Sequence, residues 1–287
     1  MIDDFLNYLA NEKRFSVHTV VAYKKDIEQF FESIGNNNVT EIRHQDIRGY
    51  LVEMVESGKE NSTINRKLSS LKTYFKFLRR QDVITINPML KMQGLKKKKR
   101  LPQFIPENQI WDRSIFCEHE DEFSNLRDEL ILELFYQTGI RLDELINLKS
   151  ANVSSGSIKV LGKRNKERLI PIAPDFFLMI NKYRRIKNDN NIISEFLINT
   201  NNSKKVTPKF VYSKVNYYLG KATNLKKKSP HVLRHTFATH MLNNGATLES
   251  IKKLLGHTDL VATQVYTHNT FKQVKNIYKS SHPRGGE

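Results

Sequence analysis

The sequence predicts a mainly α protein in two parts: an N-terminal four-helix bundle, then a mainly helical domain with a small antiparallel sheet. Three observations predict it. Apolar residues recur at helical spacing along most of the chain. Strand character centres on two short runs, residues 157–161 and 168–172, joined by a polar hairpin. Between the two parts, Lys96-Lys97-Lys98-Lys99-Arg100 cannot pack into any core, and its charges repel one another into an extended segment.

In chain order, residues 2–11 read as a short helix with Ile2, Phe5, Leu6 and Leu9 on one face. Ser16 is the N-cap of a second helix to residue 33, with Val20, Tyr23, Ile27, Phe30 and Phe31 inward. Gly35-Asn36-Asn37-Asn38 makes a turn. A third helix covers 45–55 and stops at Ser57-Gly58. The fourth starts at Asn61 or Ser62 and runs to Arg80, with Ile64, Leu68, Leu71, Phe75 and Leu78 inward. Its other face carries Arg66, Lys67, Lys72, Lys76, Arg79 and Arg80. Asn87-Pro88 ends this part. The expected division is therefore residues 1–90, a basic linker 91–103 and a second domain 104–287. In that domain, helices are expected at 107–117, 123–138, 141–148, 175–186 and 208–222. Residues 196–198 are expected as a third, edge strand.

Charge defines the partner. The 287 residues hold 47 Lys+Arg against 30 Asp+Glu, a formal net charge of +17. The excess is blocked: residues 66–100 carry twelve basic residues and one acidic, and residues 107–144 carry eleven acidic and three basic. Residues 201–287 return to fifteen basic against three acidic. An ordinary solvated surface mixes its signs; faces meeting a polyanion do not. Double-stranded DNA is the expected partner, before membrane, and the first bundle reads as a DNA clamp. The expected contacts are Arg66, Lys67, Lys72, Lys76 and Lys96, Lys97, Lys98, Lys99 and Arg100. The single Cys117 excludes an internal disulfide, and no Cys/His cluster has zinc spacing, so no metal is expected. No run has the length of a membrane span, and Met1 opens into Ile2-Asp3-Asp4 rather than a signal peptide. The expected setting is reducing and cytoplasmic.

Chemistry concentrates between His231 and Tyr266. The stretch reads H-V-L-R-H-T-F-A-T-H, then an amphipathic span, then L-G-H-T-D-L-V-A-T-Q-V-Y. His231 and Arg234, three apart, share a helix face. His257 follows Leu-Gly, a helix stop that leaves its imidazole on a turn. Singly, a histidine or tyrosine is more often a packing group with a wet tip. Jointly, an arginine, two histidines and a tyrosine suit a site that binds phosphate, moves protons and supplies a nucleophile.

Upstream, Thr138-Gly139-Ile140-Arg141-Leu142-Asp143-Glu144-Leu145 and Gly162-Lys163-Arg164-Asn165-Lys166-Glu167-Arg168 complete the set. Together the motifs T-G-x-R-x-x-E-L, G-K-x-N-K-E-R and H-x-L-R-H-x-F-A-T-H resemble those of the tyrosine site-specific recombinases, the phage-integrase family, and among them the Xer type. The resemblance covers nearly the whole chain and departs from the common pattern only where Arg164 replaces a glycine. It implies that Arg141 and Arg234 hold the scissile phosphate, that Tyr266 is the nucleophile and that Lys163 protonates the leaving 5′-oxygen. Lys166 is the rival for that last role. It further implies His231 as proton acceptor, His257 as an orienting group and Glu144 as a support for His231 or an arginine. His235 and His240 are expected to be structural.

The same resemblance implies no metal, no nucleotide and no other cofactor. It implies four protomers on two duplexes, and a C-terminal helix exchanged between them. Residues 271–278, with Phe271, Val274, Ile277 and Tyr278 at helical spacing, fit that helix, and folding back onto their own domain is the competing reading. The expected role is chromosome or plasmid dimer resolution. That role leaves room for a second recombinase or an activating protein as partner. The chain opens directly on its first bundle helix, which favours a Xer-like or simple integrase role; integration or excision of a mobile element by the same chemistry is the alternative. A type IB topoisomerase and a non-catalytic DNA-binding protein are the more distant alternatives.

Overall fold

Ser16 and Gly35 mark the ends of the second helix as the sequence places them, and each does so by a local bond. Ser16 Oγ accepts the Thr19 backbone N–H at 3.3 Å, and Gly35, at φ +64°, donates its N–H to the Phe31 carbonyl. In this computed structural model, residues 1–96, 103–162, 167–256 and 268–285 are described. The chain forms two compact units, Met1–Arg100 and Leu101–Glu287.

The first unit holds helices α1 (Ile2–Asn7), α2 (Val17–Ile34), α3 (His44–Glu56) and α4 (Asn61–Arg80). A π-helical turn, Tyr8–Glu12, prolongs α1 and keeps Leu9 buried. α4 is the spine, packing on both α2 and α3. Its inward stripe of Ile64, Leu68, Leu71, Phe75 and Leu78 is buried, with Phe75 edge-to-face on Phe30. Leu71→Ala would leave a cavity in that stripe and cost about 2–5 kcal/mol.

Lys67 departs from the basic face expected of α4. It is only 7% exposed, and its ammonium donates to Gln29 Oε1 and, at 3.2 Å, to Tyr50 Oη. Its nearest charge is Asp26 at 3.8 Å, a buried carboxylate that Arg66 and Ser70 also engage. A buried carboxylate is costly unless cations and donors surround it, and Asp26 on α2 thus favours the lysine turning inward. Lys72, Lys76, Arg79 and Arg80 remain exposed, and Arg66 is half-exposed beside Asp26. The first part of the expected linker also departs from an extended tether. Asn65 of α4 exchanges two hydrogen bonds with the Leu95 backbone, each 2.8 Å, and Asn61 donates to the Lys96 carbonyl. Lys97, Lys98, Lys99 and Arg100 lie outside the described residues.

The second unit is arranged around α5 (Glu122–Thr138), which is buried on nearly every side. After it come α6 (Leu142–Ile146), strands β1 (Val153–Ser154), β2 (Ser157–Leu161) and β3 (Glu167–Pro171), then α7 (Pro174–Asp189) and α8 (Pro208–Ala222). α9 (Pro230–Asn243), α10 (Leu248–Leu255) and α11 (His268–Ser281) follow. The strands form one antiparallel sheet in the order β1-β2-β3, with Ser157 opposite Pro171 and Leu161 opposite Glu167. α7, α8 and α9 pack against α5. No helix among the described residues is long and apolar enough to cross a membrane.

Two expected elements differ. Residues 107–117 form two separate 3₁₀ turns, Glu107–Gln109 and Arg113–Phe116, rather than one helix. Between them the Trp111 indole N–H reaches the buried Glu133 at 3.0 Å, and Asp112 caps the second turn through the Ser114 N–H. Anchoring the tryptophan outweighs a continuous backbone ladder. Phe196 makes only an isolated bridge to Lys149; the third strand of the sheet is β1, across the Gly156 turn.

α11 lies against α9, α10 and β3 of its own unit, with Val274 and Tyr278 buried. The segment after it is anchored too. His282 Nε2–H donates to the Tyr136 carbonyl, its Nδ1 accepts the Arg284 N–H, and the Arg284 guanidinium pairs with Glu133.

Candidate active site

Gly139 turns the chain from α5 into α6 at φ +58°, and a side chain there would stand 2.7 Å from both Phe237 and Leu255. Only glycine fits that conformation and that approach. The turn sets Arg141 immediately before α6, where its backbone N–H and its guanidinium each donate to Glu144, both at 2.8 Å. Glu144 is thereby held one helical turn beyond Arg141.

Arg234 arrives from α9. Its guanidinium donates to the Gly139 carbonyl and, at 2.7 Å, to the Leu255 carbonyl. The last carbonyls of α10 have no partner within their helix, and three arginines take them in succession. Arg168 Nε donates to Leu254 O at 3.0 Å, Arg234 to Leu255 O, and Arg141 Nη2 to Gly256 O at 2.8 Å. The negative end of the α10 dipole favours this gathering of cations. Gly256, at φ +64°, then ends the helix just before His257.

The charges are tightly coupled. Burial works to raise the Glu144 carboxyl, but the bonds and charge of Arg168, then the two hydrogen bonds from Arg141, outweigh it and hold the group at about 2. Burial first, then the neighbouring charges of Arg141 and Arg168, bring Arg234 down to about 10. Glu144 is therefore a carboxylate and Arg234 a cation at neutral pH, and three guanidiniums gathered about one carboxylate make a net positive cluster. Arg141 keeps 35% of its side chain open, and His231 is exposed on α9 one turn before Arg234. The cluster can bind an anion with paired guanidiniums and hold an imidazole beside it.

Of the residues singled out in the sequence, Arg141, Glu144 and Arg234 come together. Lys163, Lys166, His257 and Tyr266 lie outside the described residues. His240 is buried, joined to the Ile105 carbonyl at 2.7 Å and to Tyr136 Oη at 3.1 Å, a structural place. Sequence reasoning missed Arg168. Its signal was there: on a period-two strand it shares the inward face with Ile170, where a charge demands a buried partner.

Known proteins resemble both parts of the chain. Residues 2–82 match the phage integrase N-terminal SAM-like domain, and residues 103–273 match the phage integrase family. The chain belongs to the phage integrase family, and its class is the tyrosine recombinases of the Xer type, enzymes that break and rejoin DNA at specific sites. It is 37% identical over 294 residues to the tyrosine recombinase XerC of Thermodesulfovibrio yellowstonii, covering 100% of this chain and 97% of the relative. With the XerC of Staphylococcus haemolyticus it shares 37% over 286 residues, 98% of this chain and 96% of the relative. The fold is shared with the XerH recombinase bound to its palindromic difH substrate, at TM-score 0.71 and 18% identity, covering 96% of this chain and 82% of that one. It is shared also with a lambda integrase dimer on a COC′ core site, at TM-score 0.69 and 18% identity, over 92% and 98% of the two chains.

Proposed function

We propose that this chain recombines double-stranded DNA at a specific site through a 3′-phosphotyrosine intermediate, in the manner that resolves chromosome or plasmid dimers. The observation that carries the residue roles is the convergence of Arg141 and Arg234 on the end of α10, directly before His257. Two guanidiniums so held suit the non-bridging oxygens of a phosphodiester and offset the charge gained in the transition state.

Tyr266 attacks phosphorus and gives its proton to His231. The P–O5′ bond breaks, and Lys163 supplies the proton that makes the departing oxygen a hydroxyl. The tyrosyl phosphodiester conserves the bond energy, so a 5′-hydroxyl from a partner strand reverses the step. His257 orients the phosphate, and Glu144 supports Arg141. Exchange of two duplexes needs one protomer for each of four cleaved strands. The XerH and lambda integrase structures described above hold DNA, and a lambda integrase tetramer is known on a Holliday junction, which supports assembly on DNA. The exposed cations Lys72, Lys76, Arg79 and Arg80 are the proposed phosphate contacts of the first unit. A role on chromosomal or plasmid DNA would put its site of action in the cytoplasm. Exchange of α11 between protomers would first break its packing on α9, α10 and β3.

The test is covalent trapping on a nicked duplex. Wild-type protein should form an adduct, and Tyr266→Phe should bind without forming one. Adducts undiminished in that variant would remove Tyr266 from its role. Mapping adducts on the native genome should reveal one chromosomal or plasmid site; adducts at the ends of an integrated element would favour integration instead.

A further inference from the structure

Arg168 is the least exposed cation of the site among the described residues, at 5%, and no step of the reaction above uses it. Its fork meets the Glu144 carboxylate atom for atom, Nη1 to Oε1 and Nη2 to Oε2, both at 2.7 Å. Its Nε reaches the Leu254 carbonyl at the same time. The two Glu144 oxygens that Arg168 grips are the ones Arg141 uses: Oε1 takes the Arg141 guanidinium and Oε2 its backbone N–H. A buried ion pair is weak evidence for stability alone, because an apolar pair of the same volume often does as well. The sharing of both oxygens gives this pair a second use. Without Arg168 the carboxylate could turn about its own axis and release Arg141 from one side.

We propose that Arg168 is a positioning residue for phosphodiester transfer: it locks Glu144, and through Glu144 the Arg141 guanidinium, against the end of α10. The inference rests on the reading of Arg141 as a ligand of the scissile phosphate. Lysine cannot replace the arginine, since one ammonium cannot bridge two carboxylate oxygens and a carbonyl in this planar arrangement.

Two nicked duplexes test it, each carrying the cleavage sequence mapped with the wild-type protein. One has the ordinary phosphodiester at the scissile position. The other has a methylphosphonate there, separated into its two diastereomers, so that one non-bridging oxygen and the negative charge are gone. On the phosphodiester, Arg168→Lys should slow adduct formation roughly 100-fold, the scale of a reacting group misplaced by about 1 Å, with DNA affinity unchanged. On the diastereomer that relieves Arg141→Lys, the defect of Arg168→Lys should shrink in parallel. A defect equal on both substrates, or none on either, overturns the proposal.

If Arg168→Lys loses the wild-type circular dichroism or DNA affinity, Glu144→Gln takes its place. It keeps the shape and removes the charge that holds both arginines. The same parallel relief is expected, and equal slowing again overturns the proposal. Failure of the underlying reading has a separate signature. Either the wild-type protein forms no adduct on the phosphodiester, or neither diastereomer relieves Arg141→Lys.

Discussion

Arg141 and Arg234 donate to adjacent carbonyls, Gly256 O at 2.8 Å and Leu255 O at 2.7 Å, although they stand 93 positions apart in the chain. The end of one short helix thus sets the spacing of two guanidiniums that come from different parts of the unit. A helix terminus is well suited to this, because its carbonyls are fixed by the helix behind them and lack partners of their own. Whatever moves α10 moves both arginines.

Gly139→Ala should show this coupling. The new methyl group would meet Phe237 and Leu255 at 2.7 Å, in a backbone conformation at φ +58° that L-residues rarely adopt. Strain and overlap together should cost at least about 2 kcal/mol. Thermal unfolding should move down, and adduct formation should fall further than stability accounts for, because Leu255 carries the carbonyl that holds Arg234. Unchanged cleavage at a temperature well below unfolding would contradict the coupling.

His282 should make stability depend on acidity. Burial, aided by the charges of His240 and Arg284 and opposed by the Tyr136 carbonyl, brings its imidazole down to about 3. The neutral ring uses both nitrogens, one donating to Tyr136 and one accepting from Arg284. An unfolded chain takes up this proton near 6.5 and the folded chain does not, so stability is full above 6.5 and falls as the pH drops towards 3. Between pH 6.5 and 5 the loss from this group should be roughly 2 kcal/mol. Denaturant unfolding of wild type and His282→Gln at the two pH values measures it: the variant should be less sensitive to acid across that interval.

Removal of residues 270–287 should destabilise the second unit as well as disturb assembly. Val274, Tyr278 and His282 are buried in that unit, and Arg284 is an ion-pair partner of the fully buried Glu133. Leaving a buried carboxylate without its cation costs on the order of 3–5 kcal/mol. The truncated protein should therefore unfold at lower temperature, lose the synaptic complex and still bind single sites through its first unit at low temperature. Wild-type thermal stability after truncation would mean that α11 contributes nothing to its own unit.

Salt titration separates the two kinds of cation on α4. Lys72→Gln with Lys76→Gln removes two exposed charges and should flatten the dependence of DNA affinity on salt by about two contacts. Lys67→Gln should leave the slope as it is and lower stability, because that ammonium serves Gln29, Tyr50 and Asp26. A slope reduced by Lys67→Gln would return this residue to the DNA face.

Helices whose ends are fixed by local bonds are legible in the sequence. Ser16, Gly35 and Gly139 act on backbone groups within a few residues, so their bonds are legible from spacing alone. The sequence also singled out candidates for the chemistry, because Arg141, Glu144, His231 and Arg234 lie in short motifs that resemble those of a known family. Tertiary structure alone decided where the buried charges go. Lys67 lies on the basic side of α4 by sequence, yet Asp26, 41 positions earlier, turns it inward. Residues 107–117 have helical spacing, yet Trp111 finds Glu133 and the helix breaks. Arg168 ends the hairpin motif with no evident task until Glu144 and the Leu254 carbonyl take its hydrogen bonds. The reason is common to all three: a polar group in a core must find its partner wherever the fold brings one, and that distance is not written in local spacing.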